Sequence, residues 1–210
     1  MEDVLAVYAR PYTPDYPVVC MDEKPFQLLD ERYQPIPISE TNRTAKVDYE
    51  YEKKGTSSIF MFTEPLGCWR ETIALPTRKR EDWANRVKWL VDEKYPNAKK
   101  IVFVMDNLNT HGIESLYKTF PPIEAFRLSQ RLEIHYTPKH GSWLNIAEIE
   151  LSALSNQCLA NRRILSIVAL NEELKAWHTT RNASQKGVNW QFTTDDARIK
   201  LLHLYPIIEM

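Results

Sequence analysis

Three carboxylates that stand far apart in the chain each occupy a position from which they could bind a metal ion. Asp22 ends the apolar run Val18–Met21, and Asp106 ends the similar run Ile101–Met105. Glu148 lies just inside a predicted helix. Three carboxylate ligands suit Mg²⁺ or Mn²⁺ better than zinc. Because two such ions activate a water or a 3′-hydroxyl and stabilise the leaving oxygen, the pattern indicates a polynucleotidyl transferase.

A second acid, Glu150, competes with Glu148 for the third metal position. From a helix start at Ser142, successive residues rotate by about 100°. Glu148 adjoins the apolar side of that helix, whereas Glu150 projects about 200° further round. Either residue also suits an ordinary surface glutamate near a helix N-terminus. Periodicity therefore favours Glu148 without excluding Glu150. The apolar side consists of Leu144, Ile146, Ala147, Leu151 and Leu154.

The two aspartates together are stronger evidence for a functional site than either aspartate alone. A single aspartate after a strand commonly forms a turn or caps a helix. Asp22 and Asp106, however, repeat one design at the ends of two apolar runs. Strand ends are where loops open over an α/β sheet and where its sites usually lie.

Several polar residues beside the acids are candidates for contacts with DNA. We interpret the neighbouring Trp143 as a core residue rather than a platform for stacking bases. The candidates are Lys24, Asn107, Asn109, His111, Lys139 and His140. For His111 and the two asparagines the alternatives are the orientation of a metal ligand and turn formation or helix capping.

The elements that must position these residues follow from the apolar periodicity. The order of strands and helices predicts an α/β fold in which a mixed sheet is covered by helices on both faces. Strands are predicted over 18–22 and toward 28–29, then over 47–53, 58–64, 68–75, 101–105 and 132–136, with a loop over 30–46 and a turn over 54–57. Helices are predicted over 83–95, between 112 and 121, and over 123–130, 142–161, 166–181 and 193–204.

Composition is typical of a globular protein and excludes several classes of function. With 210 residues, 43% of them hydrophobic, the chain can bury the core of one domain. Five glycines and no glycine-rich loop argue against a nucleotide-binding loop. Three widely spaced cysteines give no zinc framework and suit a reducing compartment. Since no apolar run approaches the roughly 18 residues of a membrane span, and no signal peptide is evident, we expect a cytoplasmic protein without a membrane partner.

The net charge of the sequence does not by itself indicate a protein that binds nucleic acid. The formal net charge is −1, whereas dedicated DNA-binding domains usually carry a basic excess. Basic residues do cluster locally, at 53–54, 78–80, 99–100 and 162–163. Each cluster fits either a surface that faces DNA or an ordinary solvated patch.

Residues 1–17 are predicted to be a linker. Three prolines within seven residues, Pro11, Pro14 and Pro17, disfavour a helix and favour an extended connector. We expect this linker to follow an N-terminal DNA-binding region that lies outside the chain, and residues 18–205 to form one catalytic domain.

Three motifs in this order resemble a known family. MDEKPF (residues 21–26), VMDNLNTH (104–111) and TPKHGSWLNIAE (137–148) resemble the three conserved blocks of bacterial DDE transposases of the insertion sequence 630 family, which are relatives of the mariner superfamily. The third block is similar to the mariner pattern Ser-Pro-Asp-Leu-Asn-Pro-Ile-Glu. In this alignment the terminal acid falls on Glu148, which selects it over Glu150.

The resemblance implies a ribonuclease H-like fold, with a mixed five-stranded sheet flanked by helices, over nearly the whole chain. It implies a catalytic triad of Asp22, Asp106 and Glu148 that binds Mg²⁺, with Mn²⁺ as a substitute. The implied partner is double-stranded DNA with terminal inverted repeats, cut by hydrolysis and then joined through its 3′-hydroxyl to target DNA at a TA dinucleotide. By analogy, a homodimer is expected.

Two departures from the family keep other functions open. Mariner-like members carry helix-turn-helix modules ahead of the catalytic domain, and no such module is recognisable here. The 41 residues between Asp106 and Glu148 also exceed the usual mariner spacing, although an extra helix near 121–130 would absorb the difference. The alternatives are a catalytically silent remnant that binds DNA or protein, and a cellular nuclease of ribonuclease H type.

Overall fold

A five-stranded mixed sheet organises the chain. The computed structural model describes residues 1–33, 50–108, 110–139 and 141–205. The strands are β1 (Val18–Glu31), β2 (Tyr51–Glu64), β3 (Trp69–Leu75), β4 (Ile101–Met105) and β5 (Leu132–Tyr136). The α-helices are α1 (Glu2–Tyr8), α2 (Arg80–Trp89), α3 (Ile113–Thr119), α4 (Pro122–Gln130), α5 (Ile146–Leu154), α6 (Ile167–Ala183) and α7 (Thr194–Lys200). Within the described ranges, none of the helices has the length and apolarity needed to cross a membrane.

The strand order is β3-β2-β1-β4-β5. β1, β2 and β3 form an antiparallel meander, whereas β4 and β5 join β1 in parallel. Cys20 of β1 lies opposite Val104 of β4. Asp22 follows Cys20 by two residues, and Asp106 follows Val104 by two residues. This register therefore brings both acids to the same edge of the sheet. The predicted mixed sheet with helices on both faces is confirmed.

Side chains that alternate along the central strands contribute to two separate hydrophobic cores. Cys20, Val102 and Val104 belong to the core that α1, α5, α6 and α7 cover. Phe103 and Met105 belong to the opposite core, beneath α2, α3 and α4. Strand residues of even and odd number point to opposite faces. Asp22 and Asp106 therefore share the face of Cys20 and Val104, which is the face that carries α5.

The predicted turn over 54–57 is wrong, because β2 runs through it without a break. Gly55 adopts a φ of +103°, and the pairing with β1 shifts register between Gln27 and Leu29. A glycine with positive φ accommodates such a β-bulge within a strand at no steric cost. The earlier part of the predicted strand, residues 47–49, lies outside the described ranges.

The N-terminal segment contains a helix where only a linker was predicted. Residues 2–8 form α1, whose Val4, Leu5 and Val7 are at most 2% exposed. They join the core that covers the α5 face of the sheet. The prolines shape only the connection from α1 to β1, so the prediction of a linker is wrong for residues 2–8.

A buried ion-pair cluster joins β3, α5 and α6. Glu150 and Arg70 are each 1% exposed, and Arg70 Nε lies 3.2 Å from Glu150 Oε2. Arg181 donates from Nε and Nη2 to the two oxygens of Glu150 at 3.1 and 3.0 Å. Asn182 Oδ1 also accepts a hydrogen bond from the Arg70 amide at 2.9 Å. Glu150 thus balances two guanidinium groups between the sheet and its covering helices.

We predict that Glu150→Gln lowers the free energy of unfolding by about 3 kcal/mol, because it leaves the buried guanidinium of Arg70 without a counter-ion. Urea denaturation followed by circular dichroism measures this. The matched control is Glu172→Gln on the exposed side of α6, for which no change above ~0.5 kcal/mol is expected. Equal stability of the two variants would show that the cluster contributes nothing.

Candidate active site

The first two acids come together through the parallel pairing of β1 and β4. β4 ends at Met105, directly before Asp106, whereas β1 continues beyond Asp22 and pairs there with β2 alone. The end of β4 leaves open space beside β1 at the level of Asp22. The amide of Glu23 donates a hydrogen bond to Asp22 Oδ1 at 2.7 Å, which fixes the carboxylate against the strand.

The third acid reaches this edge because α5 is anchored to β1. Asn145 caps α5 by accepting from the Ala147 amide at 3.1 Å, and its side-chain amide donates to the carbonyl of Met21 at 2.8 Å. Asn145 is 1% exposed, so both bonds are shielded from water. The cap places Glu148 in the first turn of the helix, and Asn145 ties this turn to Met21, the residue that precedes Asp22.

The predicted start of this helix at Ser142 is therefore wrong. Residues 142–144 form a 3₁₀ turn, and α5 begins at Ile146. Asn145 replaces Ser142 as the cap because its amide satisfies a helix N–H and a strand carbonyl together. The α-helix also ends at Leu154, and a π-helical turn continues the chain to Leu159.

The predicted site residues line two open clefts. Asp22 and Glu148 share the first, of about 350 Å³, with Lys24 and Ser155. Asp106 lines a neighbouring cleft of about 410 Å³, which we call the Asp106 cleft, together with Asn107, Thr137, Pro138, Lys139 and Ser142. Among the described residues, no three acid, histidine or cysteine side chains stand at metal-ligand spacing. The acids thus border one another without converging on a single point.

The electrostatics of the site favour a cation. Burial, with a smaller contribution from the charges of Asp106 and Glu148, raises the pKa of Asp22 to about 7 against the opposing hydrogen bond from the Glu23 amide. In the part of the chain that the structure describes, no lysine or arginine forms an ion pair with any of the three acids. Carboxylate oxygens are hard donors of the kind that Mg²⁺ and Mn²⁺ bind. The residues present therefore fit a divalent metal.

His111 connects the two faces of the sheet at this edge. It is 2% exposed, with Nδ1 2.8 Å from Asp106 Oδ1 and Nε2 2.9 Å from Glu23 Oε1. Burial alone would lower the pKa of His111, but the hydrogen bonds to Asp106 and Glu23 outweigh it and raise the pKa to about 9. Its ring also stacks on Trp83, with centroids 6.1 Å apart.

The position of His111 corrects its assignment as a candidate DNA contact. Both ring nitrogens already face carboxylates, and the side chain is buried, so this arrangement leaves no nitrogen for a phosphate. Of the two roles considered from the sequence, the geometry supports the orientation of a metal ligand.

The other candidate DNA contacts differ in their surroundings. Lys24 donates to Ser155 Oγ beside the first cleft. Asn107 and Lys139 are exposed at the Asp106 cleft, where either is accessible to a phosphate. Asn109 and His140 lie outside the described residues.

Most of the basic clusters noted in the sequence are neutralised by ion pairs. Lys54 pairs with Asp30 and Glu52, and Lys99 pairs with Asp15. The same holds at 162–163, where Arg162 pairs with Glu173 and Arg163 with Glu31. Within the described ranges, residues 78–80 form no ion pair.

Sequence reasoning missed two residues that support the site. Glu23 is 2% exposed at its side chain, and its Oε2 has no hydrogen-bond partner among the described residues. The strand alternation could have found it, since a charge next to Asp22 must face the opposite core. Little in the sequence indicated the role of Asn145, because its side-chain amide donates to the carbonyl of Met21, in a strand that is distant in sequence.

The acid that competed with Glu148 is excluded from the site by its surroundings. Glu150 is buried and paired with Arg70 and Arg181, whereas Glu148 is partly exposed in a cleft with Asp22. A carboxylate held by two guanidinium groups has no free oxygen for a metal. The geometry thus favours Glu148, as the helix periodicity did.

Comparison with known proteins gives one family match. The family model described as DDE superfamily endonuclease matches residues 17–171, a span that contains all three acids. A search of curated proteins finds no match.

Solved structures share the fold at low sequence identity. The Mos1 mariner paired end complex with Mn is 16% identical with a TM-score of 0.58, and the complex with Mg is 15% identical with a TM-score of 0.58. In both, the match covers 88% of this chain and 54% of the Mos1 chain, so this chain spans about half the length of that protein. The isolated catalytic domain of Mos1 mariner transposase, 15% identical with a TM-score of 0.51, is covered over 90% of its length, and 89% of this chain takes part.

We predict that Asp22→Asn raises the free energy of unfolding of the metal-free protein by about 1–3 kcal/mol at pH 8, the scale of one or two pKa units. The substitution removes a buried charge that repels two neighbours. Urea denaturation in EDTA measures the change, and Asp15→Asn, at an exposed surface ion pair, serves as control. An unchanged or lower stability would contradict the electrostatic description of the site.

A second prediction concerns the histidine bridge. His111→Ala should lower the free energy of unfolding by about 2–4 kcal/mol, because Glu23 then remains buried without a hydrogen-bond partner. The double variant Glu23→Gln/His111→Ala should recover part of this loss, since it removes the orphaned charge. Additive losses in the double variant would show that the two side chains do not act as a pair.

Proposed function

This chain belongs to the DDE superfamily of endonucleases, and on that basis we propose that it is the catalytic domain of a DNA transposase. In this proposal Asp22, Asp106 and Glu148 bind divalent metal and together form the catalytic triad. One observation carries the assignment: the three acids of the matched span interact electrostatically at one sheet edge, where no lysine or arginine of the described residues pairs with them.

The metal is Mg²⁺, with Mn²⁺ as a substitute. The Mos1 mariner complexes that share this fold contain Mn or Mg, which supports the choice. When bound, such ions supply an activated water or 3′-hydroxyl and stabilise the oxygen that leaves.

The protein's own residues then have distinct tasks. His111 holds one oxygen of Asp106 and leaves the other available to the metal. Asn145 fixes the helix turn that carries Glu148 to the strand that carries Asp22. Lys139, which has no ion pair in the described part of the chain, supplies positive charge for a DNA phosphate beside Asp106. None of these residues needs to act as a general base.

We propose double-stranded DNA with terminal inverted repeats as the substrate, and a TA-containing duplex as the target. Hydrolysis at the ends would free a 3′-hydroxyl, which then attacks the target strand. The paired end complexes of Mos1 support an assembly across two ends, so we propose a homodimer. A cytoplasmic protein acting at the nucleoid is part of the same proposal.

We predict that the protein nicks supercoiled plasmid in Mn²⁺ and not in EDTA. Asp22→Asn, Asp106→Asn and Glu148→Gln should each reduce the nicking rate at least ~100-fold, since even outer-shell partners of a metal site are worth 10–100-fold. Conversion of supercoiled to open-circular plasmid on agarose gels measures the rate.

The control variant is Glu172→Gln, which makes the same chemical change on the exposed side of α6. It should nick at the wild-type rate. Nicking that survives in Glu148→Gln would remove Glu148 from the site. A wild-type protein that binds plasmid in Mn²⁺ but never cuts it would contradict the enzymatic assignment and support a silent, DNA-binding remnant.

A further inference from the structure

An apolar cleft adjoins the site, and the proposed function gives it no role. This cleft, which we call the Trp143 cleft, measures about 440 Å³ and is lined mainly by Pro138, Lys139, Trp143, Leu144 and Leu204. Its volume lies within the range typical of small-ligand sites, and most of its walls are hydrophobic. One cation, that of Lys139, stands among them.

Trp143 is unusually accessible for its residue type. It is 42% exposed, although the sequence suggested a core residue. Phe192 packs against it in a T-shaped contact, with ring centroids 5.8 Å apart and planes at 76°. The indole is therefore held in a fixed orientation while it remains open to a ligand. Aromatic side chains presented in this way stack on nucleobases.

The Trp143 cleft adjoins the Asp106 cleft. Pro138 and Lys139 line both the Trp143 cleft and the Asp106 cleft. Lys139 is exposed and forms neither an ion pair nor a hydrogen bond with the described residues, so its ammonium group is available to an anion. A strand whose backbone lies in the Asp106 cleft would thus pass Lys139 before it reaches Trp143.

The one acid that borders the cleft does not oppose an anionic strand. Glu2 accepts hydrogen bonds from Arg198 Nε at 2.8 Å and Nη2 at 2.9 Å, and from the Tyr205 hydroxyl at 2.9 Å. Arg198 thus offsets the charge of Glu2, and Lys139 adds the positive charge of a lysine side chain to the cleft.

We propose that the Trp143 cleft binds an unpaired nucleobase of the DNA strand that is cut at the metal site. Lys139 would contact a phosphate of that nucleotide, and Trp143 would stack on its base. A paired base cannot reach the indole, because its faces are covered within the duplex stack. The cleft would therefore favour DNA that is frayed, flapped or flipped beside the cut. This inference rests on the proposed function.

The test compares duplexes that differ only in a three-nucleotide single-stranded flap. Fluorescence anisotropy in Ca²⁺ gives the Kd of the whole chain for the flapped duplex, the fully paired duplex and a duplex whose flap is abasic. The wild type should bind the flapped duplex about 5- to 100-fold more tightly than the other two, the scale expected for stacking one base.

Substitutions separate stacking from charge. Trp143→Leu should abolish the preference, whereas Trp143→Phe should retain most of it. Lys139→Gln should weaken binding to all three duplexes and reduce its dependence on salt. Thermal unfolding checks that each variant folds. If Trp143→Leu folds and keeps the full preference, or if the abasic flap binds as well as the normal flap, the proposal is wrong.

A second measurement does not depend on a substitution. Flaps that carry 5-iodouracil should photocrosslink to Trp143, as located by mass spectrometry, and crosslinks found only elsewhere would overturn the proposal. Plasmid nicking distinguishes the two hypotheses. If the protein nicks plasmid but shows no Trp143-dependent preference for the flapped duplex, only the nucleobase site is wrong. If it shows that preference but does not nick plasmid, only the transposase assignment is wrong.

Discussion

The burial of a carboxylate beside two further acids at one sheet edge is the constraint on which the rest of the structure depends. Burial is the main cause of the raised pKa of Asp22, and the charges of Asp106 and Glu148 add to it. Two hydrophobic cores, one on each face of the sheet, hold β1 and β4 in the register that causes this crowding. The fold thus stabilises an arrangement that its charges oppose, as active sites commonly require. The two polar residues that support the acids, Asn145 and His111, are also buried.

Much of the fold and of the site was predictable from local patterns. Apolar runs located most of the strands, and the runs that end in acids located Asp22 and Asp106. The resemblance drawn from three short motifs is confirmed by the family match over residues 17–171. These features are encoded within a few neighbouring residues each, which is why they can be recognised without a structure. The binding of metal by these acids stays a prediction.

The errors share a physical cause, because each depends on a contact with a distant part of the chain. Gly55 forms a bulge rather than a turn because β1 continues beside it. Asn145 rather than Ser142 caps α5 because the carbonyl of Met21 lies within reach. The segment 2–8 looked like part of a linker, yet it packs on a core built from much later residues. Glu150 resembled a surface acid until Arg70 and Arg181 were seen around it.

The burial of α1 has a consequence for synthesis of the protein on the ribosome. Tyr8 donates to the carbonyl of Leu144 at 2.7 Å, next to the cap of α5, and Glu2 pairs with Arg198 near the other end of the domain. α1 therefore lacks some of its partners until residue 198 has been made. Domains usually fold as units while their N-terminal parts emerge first. The packing of α1 on this core is therefore completed late, after residue 198 has left the ribosome.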